Sequence, residues 1–211
     1  MTFYRRYGKR TLDATGAAVA LALLWPVVLL VALAVRYALG KPVLFCQRRP
    51  GLGERSFSVL KFRTMLAETE RDGRELTDAE RVTKFGLFLR ATSLDELPQL
   101  WNILRGDMSF IGPRPLLERY IPYYRESERV RHDVRPGLTG WAQVNGRNDV
   151  DWDERLALDA WYVGHLSFAL DARIFIRTIL AVACRRGVRE NPAHVLEALD
   201  EQRRSNIHCA A

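Results

Sequence analysis

The 211 residues include only three cysteines, Cys46, Cys184 and Cys209, far apart and with no CxxC pair among them. An odd, scattered set excludes a disulfide framework and a cysteine zinc site, and it fits a reducing compartment. Histidine is as scarce: His132, His165, His194 and His208 have no ligand spacing with one another and read as surface or packing residues. No GxxxxGKS/T or GxGxxG run occurs, so neither a P-loop nor a dinucleotide-binding fold is indicated. The chain also lacks an RNP aromatic pair, zinc-finger spacing and any internal repeat, which leaves no nucleic-acid partner to expect.

Acidic residues are outnumbered, 25 to 32, for a formal net charge of +7. Such a balance calls for an acidic partner, phosphates or anionic lipid headgroups among them. With 48% hydrophobic and 27% charged residues the chain is not disordered, and its length suits one globular unit with a real core.

The longest uncharged run is ATGAAVALALLWPVVLLVALAV, the 22 residues Ala14 to Val35. As a helix it is about 33 Å long, enough for a bilayer core. It exceeds a signal-peptide h-region and no small-residue cleavage site follows it, so it is expected to stay in the mature protein. Pro26, near its middle, removes a backbone donor and favours a kink. Arg5, Arg6, Lys9 and Arg10 precede the run and Arg36, Lys41, Arg48 and Arg49 follow it. Neither flank is therefore preferred for export. The expectation is a re-entrant segment that dips into the membrane, breaks at Pro26 and returns.

Beyond the anchor, SFSVLKFRTM (Ser56 to Met65) alternates as a strand does. The charged stretch Glu68 to Lys84, with its D-G signal, reads as a solvated loop or surface helix without chemistry. A helix is expected from Ser93 through LPQLWNIL, with Ser93 and Glu96 forming a capping box and Pro98 tolerated in the first turn. GDMSFIGPRP follows as a loop, then a helical LLERYIPYYRESERVRHDV, and then RPGLTGWAQVNGRN (Arg135 to Asn148), a shaped glycine-bearing loop of a length that tends to be functional. ERLALDAWYVGHLSFAL and DARIFIRTILAVACRRGVR have wide apolar faces beside arginines, as helices in a headgroup layer do. The expected organisation is a membrane anchor over 1–40, a catalytic core with interfacial helices over 41–190, and a polar tail over 191–211 that the chemistry does not need. The fold class is α+β, mostly helical, with a small strand element.

Within LRATSLDELPQLWNILRGDMSFIGPRP, Asp95 and Glu96 are adjacent, and Lys61, Arg63, Arg90, Arg114 and Arg147 surround them in sequence. Arginine forks suit phosphate oxygens, and carboxylates at a helix start stay ionised, able to hold a divalent ion or attack phosphorus. That layout suits phosphoryl transfer. A non-catalytic protein binding anionic lipid or an assembly partner at the membrane surface would explain the basic charge but not the acidic pair.

These motifs, from YGKRTLD and the Pro-containing apolar run through KFRTM, the LDELPQLWNILRGDMSFIGPRP block and VRPGLTGWAQVNGRN to LDAWYVGHLSFALDARI, resemble the bacterial sugar transferases, the monotopic phosphoglycosyl transferases. The resemblance covers nearly the whole chain. It implies transfer of sugar 1-phosphate from a UDP-sugar to polyprenyl (undecaprenyl) phosphate, with UMP released, at the start of surface glycan assembly. It further implies an aspartyl phosphosugar intermediate on Asp95, assistance from Glu96, and magnesium, or manganese in its place, with Asp95 as a ligand. Lys61, Arg90 and Arg114 match family positions that meet phosphate, and Asp171 matches a further family acid. Arg147, Gln143 and Asn145 are assigned here to the nucleotide side. The implied setting is the bacterial inner membrane with the core on its cytoplasmic face, and with glycan-assembly enzymes as further partners. Trp25 departs from the small polar residue that several members carry before the proline. The chain also looks like the minimal catalytic form, without the multi-pass region of larger members.

Overall fold

In the computed structural model, which describes residues 3–71, 73–145, 150–183 and 198–209, the apolar run is part of one helix, α1 (Lys9–Leu39), entered through a π-helical turn at Tyr4–Gly8. Asp13, Ala17, Val31 and Val35 are buried along it, and Ala20, Leu21, Leu24, Val28, Ala32 and Leu39 are partly covered. Steps of three and four residues make these one stripe. The opposite face, with Val19, Leu23, Trp25, Leu30, Leu33 and Tyr37, is exposed.

The break expected at Pro26 is not there: the helix continues through it. Pro26 forfeits its own hydrogen bond, but it lies on the exposed face while Leu24 and Val28 on either side pack against the core. That packing offsets the penalty of about 3 kcal/mol for an internal proline. Both halves of α1 nevertheless rest on one globular body. The first half meets Leu100, Ile103 and Met108, and the second meets Phe62 and Leu89.

Polar contacts fix both ends of α1. Arg10 donates to the carbonyls of Ile103 and Leu104 at 2.6 and 2.7 Å, satisfying the end of α4 (Gln99–Arg105), and the Asp13 carboxylate accepts from the Phe110 amide at 3.1 Å. At the other end Arg63 donates to the carbonyls of Leu39 and, at 2.9 Å, Lys41.

The expected strand is β2 (Ser56–Phe62), paired antiparallel with β1 (Leu44–Pro50), so that Phe45 faces Lys61 and Gln47 faces Val59. The charged segment holds a small hairpin, β3 (Glu70–Arg71) with β4 (Arg74–Glu75), and a turn of helix, α2 (Asp78–Arg81), capped by Thr77 and Glu80. Next come α3 (Lys84–Ala91), α4 and β5 (Ser109–Ile111). β5 pairs parallel with β6 (Gly137–Thr139). Gly112 and Gly137 pack backbone to backbone: a Cβ on Gly137 would lie 2.1 Å from the Gly112 nitrogen. The expected helix after Leu116 is instead a 3-10 stretch at Glu118–Tyr123, the short α5 (Glu126–Arg129) and another 3-10 turn at Val130–Asp133.

After α6 (Trp141–Asn145), the two amphipathic segments form α7 (Trp152–His165) and α8 (Phe168–Ala183). α8 buries Ile174 and exposes Phe168, Phe175, Ile176, Ile179 and Leu180. Within the polar C-terminal stretch, α9 (Leu199–Cys209) forms, and Leu199 is fully buried with Leu116, Tyr120, Tyr124, Trp152 and Leu156. Among the described side chains one apolar residue, Leu199, and a set of ion pairs dock this helix. His132 is a packing residue, as expected; burial and the Arg131 charge hold its imidazole down to about 4.

Candidate active site

Asp95 and Glu96 lie in a 3-10 turn, Leu94–Glu96, between α3 and α4. The helix expected from Ser93 begins instead at Gln99, headed by Pro98. Ser93 is left-handed, with φ 55°, and makes no capping hydrogen bond. The capping box does not form because Glu96 is turned to stronger partners. Its Oε1 accepts from Lys61 Nζ at 2.6 Å and from Arg114 Nη2 at 2.9 Å, and charge-assisted bonds outweigh one neutral cap.

The two acids differ in environment. Burial alone would raise the Glu96 carboxyl, but Arg114 and Lys61 overcome it and hold the group at about 2. Burial raises Asp95 above the usual aspartate value; Lys61, Arg90 and Arg114 oppose this, while the Glu96 charge adds to it. Asp95 is 7% exposed, and its carboxylate has no hydrogen bond or ion pair among the described residues. A lone-pair oxygen without a partner, beside fixed cations, is an available nucleophile or metal ligand.

The pair opens on a cavity of about 770 Å³. Arg49, Lys61, Arg63, Arg81, Arg90 and Arg114 line it against three carboxylates, Asp78, Asp95 and Glu96. The excess is cationic, and the volume suits a nucleotide-sized ligand. Arg90 is positioned by a 3.0 Å bond from its Nε to Thr64 Oγ1. Arg114 is positioned through its backbone: buried Arg131, paired with Asp159 at 2.9 Å, donates to the Arg114 carbonyl at 2.7 Å.

Of the residues expected at the site, the fold thus gathers Asp95, Glu96, Lys61, Arg90 and Arg114. Asp171 is not brought there. Its carboxylate accepts from Tyr4, Lys9 and Tyr162 at 2.6 to 2.7 Å, and it ties the start of α1 to the core. Gln143 and Asn145 do not line the cavity; Asn145 accepts from Arg177 at 2.9 Å. Arg147 lies outside the described residues.

Sequence reasoning missed Phe45, Gln47 and Arg49, which line the cavity from alternate positions of β1, and also Asp78 and Arg81. Period-two spacing in FCQRR would have linked the first three had a strand been expected there. Asp78 and Arg81 gave no signal, because a charged surface segment looks the same whether or not it borders a cavity.

Comparison with known proteins adds to this geometry. The family model described as "Bacterial sugar transferase" matches residues 4–185. An uncharacterized sugar transferase, EpsL, of Bacillus subtilis is 46% identical over 86% of this chain and 90% of its own length. The exopolysaccharide production protein ExoY of Rhizobium meliloti is 41% identical, covering 85% and 87%. The UDP-glucose:undecaprenyl-phosphate glucose-1-phosphate transferase of Caulobacter vibrioides is 44% identical over 81% of this chain and 68% of its own.

Proposed function

The chain belongs to the bacterial sugar transferase family, and from that premise we propose that it moves sugar 1-phosphate from a UDP-sugar to polyprenyl phosphate at the cytoplasmic face of the inner membrane. It is a transferase enzyme, and relatives named as glucose-1-phosphate transferases acting on undecaprenyl phosphate support this substrate class. The observation that carries the reading is Asp95: a buried carboxylate without a hydrogen-bond or ion-pair partner among the described residues, in a cationic cavity large enough for a nucleotide sugar.

In the first step an Asp95 carboxylate oxygen attacks the sugar-bearing phosphorus. The bond from that phosphorus to the bridging oxygen breaks, and UMP leaves with the electron pair. In the second step an oxygen of polyprenyl phosphate attacks the same phosphorus, and the bond to Asp95 breaks, restoring the carboxylate. Dividing one displacement between two bulky anions into two steps is what covalent catalysis offers. Glu96, ionised down to about 2, has no proton to give at neutral pH; it fixes Lys61 and Arg114 beside the reacting phosphorus.

A magnesium or manganese ion fits this donor set. No group of three or more His, Cys, Asp or Glu side chains converges among the described residues. Magnesium, however, is commonly held by one or two carboxylates and the substrate's own phosphates, which Asp95 and the diphosphate provide. When bound, it offsets the diphosphate charge. Exhaustive chelation is expected to stop turnover and re-addition of magnesium to restore it; full turnover without metal rejects the assignment.

Intact-protein mass spectrometry after incubation with a panel of UDP-sugars and magnesium, without acceptor, tests the mechanism. A gain of one sugar phosphate mapped to Asp95, with UMP released, is expected. Asp95→Asn keeps the size but loses the charge, so it should fold normally, form no adduct and lose turnover by at least about a thousandfold. An adduct on Glu96, or UMP formed only when polyprenyl phosphate is present, overturns the two-step reading.

A further inference from the structure

One wall of the cavity is apolar: Pro42, Phe45, Phe62, Met65 and Leu66. Phe45 is 47% exposed and the adjacent Leu44 40%. Phosphoryl transfer has no use for such a wall, since its catalysis rests on charge and position.

Phe45 also borders a smaller cavity of about 60 Å³ shared with Gln47, Arg49, Lys61 and Arg114. Strand alternation places Phe45, Gln47 and Arg49 on one face of β1, an order running from apolar to amide to cation in steps of about 7 Å. Arg49 donates to Gln47 Oε1 at 2.7 Å and has no carboxylate partner among the described residues. The like charge of Arg114 is close enough to act on it. A half-buried guanidinium in that company calls for an anion. At the other end of the face, Pro42 follows the end of α1 by three residues, and Val43 packs with Val31, Val35 and Leu39. The apolar wall thus continues from the membrane helix.

We propose that this face of β1, with Pro42, is the acceptor subsite. Arg49 meets the phosphate of polyprenyl phosphate, and Phe45 and Pro42 seat its first isoprene units. The inference rests on the transferase reading. In-line displacement supports it: the acceptor oxygen must approach the phosphorus opposite its bond to Asp95, from the position UMP has vacated. Nucleotide and acceptor therefore share phosphate positions and differ in where the rest of the molecule leads. Only the acceptor has a chain that gains from an apolar wall, so Phe45 rather than Arg49 distinguishes the two.

The test uses the full chain in detergent micelles. For Phe45→Ser the KM for polyprenyl phosphate should rise about tenfold or more, as expected for losing one aromatic contact, and UMP release from UDP-sugar alone should fall by a clearly smaller factor. Phe45→Leu should recover most of the loss. With the wild-type protein, acceptors of one to five isoprene units should show KM falling steeply over the first two or three and then levelling. An unchanged acceptor KM in Phe45→Ser, an equal loss of UMP release, or no dependence on the first isoprene units overturns the subsite. Failure of the wild-type protein to release UMP from any UDP-sugar even with polyprenyl phosphate present is a different result, and it overturns the proposed substrates themselves.

Discussion

Lys61 sits 2.6 Å from a Glu96 oxygen, and its charge also lowers the Asp95 carboxyl that burial has raised. If Asp95 attacks as proposed, it does so in its ionised form, so UMP release should fall as pH drops through a value above the ordinary 3.8. Glu96, at about 2, remains charged across that range and does not set the limb. Lys61→Met removes a charge that lowers the Asp95 value, so the acid limb of single-turnover UMP release should move to higher pH. A limb that stays put or moves down would show that Lys61 does not act on Asp95. Stability carries the opposite sign for the two acids. A depressed Glu96 stabilises the fold above its ordinary 4.5, and that contribution is lost as pH falls towards 2. Asp95, raised by burial, makes its cost felt as pH rises and it must ionise.

At the scale of elements, α9 shows how a helix without a hydrophobic period can be part of the fold. Arg203 donates to both oxygens of buried Glu128 at 2.7 Å, to Asp153 at 2.7 Å and to the Tyr123 carbonyl. Leu199 meanwhile packs against Leu116, two residues beyond Arg114. Arg203→Ala leaves the Glu128 charge buried with less compensation, a loss of about 3 kcal/mol for a broken buried pair. In a chain of this size that lowers Tm by roughly 6–12 °C. Arg203 and the Arg125 contacts hold Glu128 below its ordinary value against the opposing effect of burial, so the pair stabilises above about pH 4.5 and less as Glu128 protonates. The Tm difference between wild type and variant should therefore narrow in acid. An unchanged Tm at neutral pH would mean that α9 is not docked as described.

For the whole molecule, the consequence of α1 is topological. A helix of about 46 Å could cross a bilayer by length, yet its two halves rest on the same globular body. If that body lies on one side of a membrane, both flanks stay on that side, and the exposed stripe through Leu23, Leu30 and Leu33 is the face expected to meet lipid. Cysteines placed at Phe3 and Lys41, both exposed, test this in a background where Cys46, Cys184 and Cys209 are serine. An impermeant thiol reagent should miss both in intact cells and reach both after permeabilisation. Labelling of one position alone in intact cells would establish a span.

The features determined by the sequence alone are those whose cause is local or whose motifs are contiguous. The uncharged run with basic flanks, the alternation of Ser56 to Phe62, the adjacent Asp95 and Glu96, and the ordered motifs that mark the family all belong to this class. Tertiary structure decided what depends on partners distant in the chain. Glu96 leaves its expected cap because Lys61, 35 residues before it, and Arg114, 18 after it, offer charge-assisted bonds. Asp171 becomes an anchor because Tyr4 and Lys9, more than 160 residues away, close on it. Pro26 stays helical because the turns around it are packed, and the C-terminal segment is docked because one leucine and one arginine find buried partners. Local propensity is worth tenths of a kcal/mol per residue, whereas burial and charge pairing are worth about 1–3 kcal/mol for each group. Where the two conflict, contacts remote in sequence prevail.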